Sequence, residues 1–78
     1  MASSSEIRVG LIGFGLAGAV FHAPLIVATQ GLRLTSIVTA DPARRERAAR
    51  EHPRARLLPS ADELWSYAGD HDLVVIEA

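Results

Sequence analysis

The chain contains neither cysteine nor lysine. The absence of cysteine excludes disulfides, thiolate metal sites and a cysteine nucleophile, and it fits the reducing cytoplasm in which we expect the protein. All eight basic residues are arginine, so a mechanism that needs a lysine must take it from outside these residues. The chain also lacks a large excess of positive or negative charge, since its net charge is −1 at pH 7. We therefore expect neither nucleic acid nor a membrane surface as a partner.

Hydrophobic residues make up 49% of the chain and charged residues 22%, which is an ordinary composition for a globular protein. The longest apolar run, residues 9–28, follows Arg8 and permits the interpretation of an exported or membrane-anchored small protein. Four glycines, His22 and Pro24 within that run, and Glu6 before it, argue against this.

Apolar and polar segments alternate along the chain in a way that predicts alternating strands and helices. The predicted strands are 7–12, 32–39, 56–58 and 72–78. The predicted helices are 16–29, 42–51 and 60–69, the first with a break or kink near Ala23 imposed by Pro24. This order predicts an α/β fold, a partial Rossmann-type parallel sheet in the order 3-2-1-4 with helices on both faces.

The chain reaches its fourth strand without a further helix to cover that part of the sheet. We therefore expect residues 1–5 to be a flexible tail and residues 6–78 to be the N-terminal part of a larger protein.

Three glycines follow the first predicted strand directly and open a helix. Gly13 permits a tight turn, Gly15 removes a side chain where a pyrophosphate approaches the backbone, and Gly18 lets the helix pack closely on the strand. The N–H groups of the helix's first turn would bind the phosphate oxygens. The segment from Gly13 to Gly18 therefore predicts binding of NAD or NADP, and residues 6–78 are expected to be the N-terminal part of a dinucleotide-binding domain.

The end of the second strand is the next diagnostic position, because an acidic residue there accepts the ribose hydroxyls of NAD. Thr39 occupies the position expected to face the ribose, while Asp41 comes slightly late and suits a helix cap. Arg44 and Arg45 follow. A hydroxyl with a nearby guanidinium suits the 2′-phosphate of NADP, so the sequence favours NADP over NAD.

The segments 10–18 (GLIGFGLAG) and 21–26 (FHAPLI) resemble the N-terminal domain of the Gfo/Idh/MocA oxidoreductases, relatives of glucose–fructose oxidoreductase and inositol dehydrogenase. The segments 39–44 (TADPAR) and 72–76 (DLVVI) are similar to later parts of that domain.

The resemblance implies a role in cofactor binding for eight residues. They are Gly13, Phe14, Gly15, Leu16, Ala17 and Gly18 at the pyrophosphate, and Thr39 and Arg44 at the adenosine ribose or its phosphate. Glu77 and Ala78 would lie near the nicotinamide, although the family usually has small or hydroxyl residues and then proline there.

The resemblance also implies an activity for a longer protein, an oxidoreductase acting on sugar- or polyol-like substrates and forming a homo-oligomer. The family's catalytic lysine belongs to a later Glu-Lys-Pro motif that a substrate domain follows. No catalytic residue is therefore expected in this chain, and the substrate domain would be absent from it. A non-catalytic dinucleotide-sensing module is the alternative that the same turn allows.

Other polar and aromatic residues receive structural interpretations. We expect His22 either to have a packing role or to lie near the cofactor, and His52 and His71 to be exposed on loops. Trp65 and Tyr67 are predicted to pack in the core. The run Asp70-His71-Asp72 is not assigned as a metal site, because three adjacent loop residues rarely converge on one ion.

Overall fold

A four-stranded parallel sheet forms the centre of the molecule in the computed structural model, which describes residues 6–76. The strands are β1 (Ile7–Ile12), β2 (Leu32–Val38), β3 (Arg56–Leu58) and β4 (Leu73–Ile76). The helices are α1 (Ala23–Ala28), α2 (Pro42–Glu51) and α3 (Ala61–Trp65), with a π-helical turn at Gly18–His22 and a 3₁₀ turn at Ala68–Asp70. The strand order is β3-β2-β1-β4, which confirms the predicted α/β fold and its topology. The predicted tail (1–5), Glu77 and Ala78 lie outside the described residues.

Strand β1 lies between β2 and β4, and its centre is therefore apolar on both faces. Val9 and Leu11 are fully buried. The register against β2 shifts after Val9, so that Thr35 is an extra residue in a β-bulge. The Thr35 hydroxyl donates to the Val9 carbonyl at 3.1 Å. The bulge places Ser36 on the same face of the sheet as Gly10.

The chain is helical from residue 16 to residue 28, and Pro24 is accommodated within that helix. Proline has no N–H, and its ring crowds the carbonyl four residues earlier. Immediately before it the helix widens into the π turn, where the Ala23 N–H donates to the Gly18 carbonyl. The predicted break therefore takes the form of a wider turn. None of the helices described in residues 6–76 is long and apolar enough to cross a bilayer.

Side-chain caps begin the two later helices. The Asp41 carboxylate accepts from the Arg44 N–H at 2.9 Å at the start of α2, and Ser60 accepts from the Glu63 N–H at 3.4 Å at the start of α3. The prediction that the third helix continues to Gly69 is wrong. The helix ends at Trp65, after which the Ser66 hydroxyl donates to the Glu63 carbonyl and competes with the regular helical pattern.

The sheet is covered on both faces, as predicted. Helices α1 and α2 enclose the larger cluster and α3 the smaller one. The larger cluster contains Val9, Leu11, Phe14, Ala19, Ala23, Ile26, Leu34, Ile37 and Ala48. The smaller contains Val38, Leu58 and Leu64. The two clusters explain the apolar character of both faces of the central strands.

The prediction that His71 is exposed is wrong, because its ring packs against Gly10 in the centre of β1. A Cβ at Gly10 would lie 3.1 Å from His71 Cδ2 and 3.2 Å from Leu64 Cδ1. His71 Nδ1 lies 2.9 Å from the Tyr67 carbonyl, to which it can only donate. In the neutral ring, Nε2 therefore accepts from the Ser36 hydroxyl at 2.8 Å. The glycine thus makes room for a histidine that joins β2 to the chain before β4.

The prediction that Trp65 and Tyr67 pack in the core is also wrong. Their exposed fractions are 51% and 37%, because the short helix α3 buries Leu64 instead. The Arg56 guanidinium lies over the Tyr67 ring, 3.9 Å from its centroid. Tyr67 therefore contacts a charged group at the surface.

Candidate functional site

The glycine-rich turn connects the carboxyl end of β1 to the helical segment 16–28. Gly13 has a φ of +103°, a conformation that residues with a side chain rarely adopt. Its N–H donates to the Val38 carbonyl at 2.8 Å, which joins the turn to the last residue of β2. The turn and Thr39 therefore lie side by side at the carboxyl edge of the sheet, where open α/β sheets bind their ligands.

Residues within the turn have distinct surroundings. The Phe14 side chain is 2% exposed and belongs to the larger core cluster, whereas Leu16 is 76% exposed. Gly18 and Ala19 are buried, so the helix packs closely on the sheet. Phe14 thus anchors the turn from below and leaves the backbone, rather than its ring, to face a ligand.

The exit from β2 is held by two contacts of Thr39. Its N–H donates to the Leu58 carbonyl at 3.0 Å, and its carbonyl accepts from Arg45 Nη1 at 3.2 Å. Thr39 is 7% exposed. The Asp41 carboxylate beside it accepts the Arg44 N–H as the helix cap. Asp41 is the acidic residue after β2 that could bind a ribose, and its carboxylate instead caps the start of α2.

The arginines that begin α2 differ in what they contact. The Arg44 side chain is exposed and has no hydrogen bond or ion pair to the part of the chain that the structure describes. Arg45 instead folds back onto the Thr39 carbonyl. The sequence assigned Arg44 and not Arg45 to the cofactor, but the spacing of two adjacent arginines did not predict that Arg45 turns back towards the strand.

Two further histidines lie near the turn in the chain or in space. His22 ends the π turn and is partly exposed, and its side chain makes no hydrogen bond within residues 6–76. The prediction that His52 is exposed is wrong, since its ring meets the ring of Phe14 edge-on with centroids 5.8 Å apart. Burial lowers the pKa of His52, an effect that the nearby Glu51 carboxylate partly opposes.

The run Asp70-His71-Asp72 does not converge on one point. Asp70 pairs with Arg56 at 3.2 Å and Asp72 pairs with Arg8 at 3.1 Å, while His71 bonds to Ser36 and Tyr67. Hydrogen bonds from Arg8 lower the pKa of Asp72 to about 2. These contacts join the amino ends of the strands, at the edge opposite to the glycine turn.

Comparison with known proteins yields matches along nearly the whole chain. The family GFO_IDH_MocA, described as an oxidoreductase family with an NAD-binding Rossmann fold, matches residues 7–78. The uncharacterized oxidoreductase YdgJ of Escherichia coli is 55% identical over 38 residues, 49% of this chain and 11% of YdgJ. The scyllo-inositol 2-dehydrogenase (NADP(+)) IolW of Bacillus subtilis is 34% identical over 58 residues, 74% of this chain and 15% of IolW.

A solved structure from Klebsiella pneumoniae, assigned provisionally as an oxidoreductase, superposes with a TM-score of 0.82 at 35% identity. The match covers 95% of this chain and 20% of that one. The chain therefore spans between about a tenth and a fifth of the length of these relatives.

Proposed function

The chain belongs to the Gfo/Idh/MocA family of oxidoreductases, and on that premise we propose that it is the dinucleotide-binding portion of a hydride-transferring enzyme. The observation that carries this proposal is the turn itself, in which Gly13 with a φ of +103° joins a buried strand to a helix. That geometry fits a pyrophosphate, because it brings backbone N–H groups and a helix N-terminus to the carboxyl edge of the sheet.

The residues of the turn would hold the pyrophosphate, and those after β2 would hold the adenosine ribose or its phosphate. In our assignment the turn residues are Gly13, Phe14, Gly15, Leu16, Ala17 and Gly18, and the residues after β2 are Thr39 and Arg44. The nicotinamide, when bound, supplies the group that accepts or gives the hydride. This chain's own task is to bind and orient that cofactor.

We further propose that the cofactor is NADP rather than NAD. Thr39, at the position expected to face the ribose, carries a neutral hydroxyl instead of an acid, and the Asp41 carboxylate is used to cap α2 by accepting the Arg44 N–H. The exposed Arg44 guanidinium has no other partner among residues 6–76 and is free to pair with that phosphate. The similarity to IolW, an NADP(+)-linked enzyme, supports the same choice.

Replacement of Arg44 tests this choice. Arg44→Ala is expected to weaken NADP⁺ binding by about ten- to 100-fold, as for loss of a charged hydrogen bond, and to leave NAD⁺ binding unchanged in calorimetric titrations of the full-length protein. Arg47→Ala is the matched control, because Arg47 lies on the same helix and pairs with Glu51 at 2.9 Å. Unchanged NADP⁺ binding together with tighter NAD⁺ binding would contradict the assignment.

The substrate is proposed to be sugar- or polyol-like, by analogy with the inositol dehydrogenase among the relatives. The lysine that such chemistry uses in this family would come from residues beyond this chain. We propose a cytoplasmic homo-oligomer as the working form. Absorbance at 340 nm, followed in the full-length protein with a panel of polyols and sugars, tests the activity.

Binding of the cofactor without turnover of any polyol or sugar would favour a dinucleotide-sensing module instead. Failure to bind either dinucleotide would overturn the proposed function as a whole.

A further inference from the structure

The ring of His52 supports the glycine-rich turn from beneath. His52 follows the last residue of α2, and its ring meets the Phe14 ring at 90° with centroids 5.8 Å apart. Its Nε2 is enclosed and has no hydrogen-bond partner within the described residues. These surroundings favour the neutral form of the His52 ring, because protonation would add an N–H at Nε2 that is buried without an acceptor.

Phe14 transmits this contact to the turn. Its side chain is 2% exposed, and its backbone directly follows Gly13, whose φ is +103°. A ring fixed in the core leaves the backbone of residue 14 little freedom to move. The position of the turn therefore depends on what packs against Phe14, and His52 forms one side of that packing.

We propose that His52 is a positioning residue for the dinucleotide-binding turn, acting through Phe14, and that protonation of His52 weakens cofactor binding. This inference rests on the proposed function, since it concerns the same turn. Protonation gives the enclosed Nε2 a hydrogen that needs an acceptor. The ring must then move towards water, and the edge-on contact with Phe14 is lost.

The charged groups around His52 are balanced. Glu51 precedes it on α2, and Glu6, Arg33 and Arg54 line the same cavity of about 630 Å³ at the amino edge of the sheet. Phe14 adds no charge on the side of the turn. Burial is the largest influence on the pKa of His52 and lowers it, while the Glu51 carboxylate acts in the opposite direction. Burial therefore favours the neutral ring, which takes up its proton at a lower pH than an exposed histidine does.

Calorimetric titration of the full-length protein with NAD⁺ between pH 8 and pH 5 tests the proposal. NAD⁺ is the probe because it lacks the 2′-phosphate, a group that itself titrates near pH 6. The wild-type Kd is expected to rise by about two- to twelvefold as the pH falls, which corresponds to the free energy of one aromatic pair. His52→Ala is expected to show the weaker affinity already at pH 8.

His52→Phe is the decisive variant, because it keeps an aromatic ring and removes the titrating nitrogen. We expect it to bind NAD⁺ as wild type does at pH 8 and to lose the rise in Kd at pH 5. If His52 only filled space, its replacement by phenylalanine would leave the pH dependence of the Kd unchanged. His22→Gln is the control for the other histidine near the turn and should keep the pH dependence.

The proposal is overturned if His52→Phe retains the pH dependence of the wild type, or if His22→Gln alone abolishes it. A wild-type protein that binds neither NAD⁺ nor NADP⁺ at pH 8 would refute the proposed function instead. The coupling is then judged without cofactor, from the NMR resonances of the Phe14 ring. Those resonances should shift with the His52 titration, and a Phe14 ring that ignores it would refute the coupling.

Discussion

Replacement of Gly13 by alanine should damage cofactor binding through the conformation of the backbone. The φ of +103° at this residue is accessible to glycine and strained for alanine. Residues held in such conformations cost about 1–3 kcal/mol. The N–H of Gly13 also donates to the Val38 carbonyl, so the chain cannot rotate away without losing the hydrogen bond that joins the turn to β2.

The strain can appear in two different measurements. If the turn keeps its conformation in Gly13→Ala, the free energy of unfolding falls by about 1–3 kcal/mol, and Tm falls by about 4–8 °C for each kcal/mol in a domain of this size. If the turn relaxes, the loss of stability is limited to that hydrogen bond, and the cofactor must restore the strained conformation on binding. The Kd then rises by about five- to 150-fold, which is the same energy expressed as affinity.

Gly31→Ala is the matched control. Gly31 has a φ of +91°, and a Cβ there would meet no atom within 4 Å, so the replacement imposes strain without a clash. Gly31 precedes β2 at the edge of the sheet remote from the turn, and its strain should appear in Tm and not in the Kd. Thermal melts and calorimetric titrations with both dinucleotides measure the two quantities. Equal loss of affinity in the two variants, or an unchanged Tm and Kd in Gly13→Ala, would refute the reasoning.

Three further predictions concern stability. Asp41→Ala should lower the free energy of unfolding by about 1 kcal/mol in urea titrations, because α2 loses its cap. Ser36→Ala leaves the Nε2 of His71 without a donor and should cost about 1–3 kcal/mol in the same assay. The Asp72 carboxyl has a pKa of about 2 in the folded chain against an ordinary 3.8, so its stabilising effect is present above pH 3.8 and is lost as the pH falls towards 2. Tm should therefore fall as the pH is lowered from 3.8 towards 2, and Arg8→Gln should make that fall smaller, because Asp72 loses its hydrogen-bond partner.

Each of these predictions has its own check. Asp41→Asn keeps a capping oxygen and should stay close to wild type, so equal losses from alanine and asparagine would contradict the capping role. Ser36→Ala combined with His71→Phe removes both polar partners and should be more stable than Ser36→Ala alone. An acid-dependent fall in Tm that persists unchanged in Arg8→Gln would show that groups other than Asp72 cause it.

The sequence predicted the elements whose signals are local. The bounds of β1 and α2 agree with the structure because an apolar run and an Asp-Pro start act within a few residues. The form of the break at Pro24 was not predictable, because a π turn depends on how the helix packs on the sheet as well as on the proline. The early end of α3 at Trp65 escaped prediction for a related reason, since the competing Ser66 hydroxyl is a weak local signal.

Two histidines that contact residues far away in the sequence were predicted to be exposed. His71 bonds to Ser36, 35 positions earlier in the chain. His52 follows the C-terminal end of α2 and packs on Phe14. Histidine has an intermediate tendency to be buried, so composition could not place either ring. At the site, the position of the glycine turn follows from its neighbours in sequence, whereas the roles of Thr39 and Arg44 stay predictions.

The fit between Gly10 and His71 also bears on how the chain folds during synthesis. The second face of β1 at Gly10 offers only backbone until Leu64 and His71 arrive, which requires most of the chain to have left the ribosome. A nascent chain that ends at β2 can form its first layer of helix on sheet but still exposes the other side of β1. That intermediate carries an open apolar strand and is prone to aggregate. A larger residue at position 10 would displace the ring of His71, 61 residues later, which completes this face of the sheet.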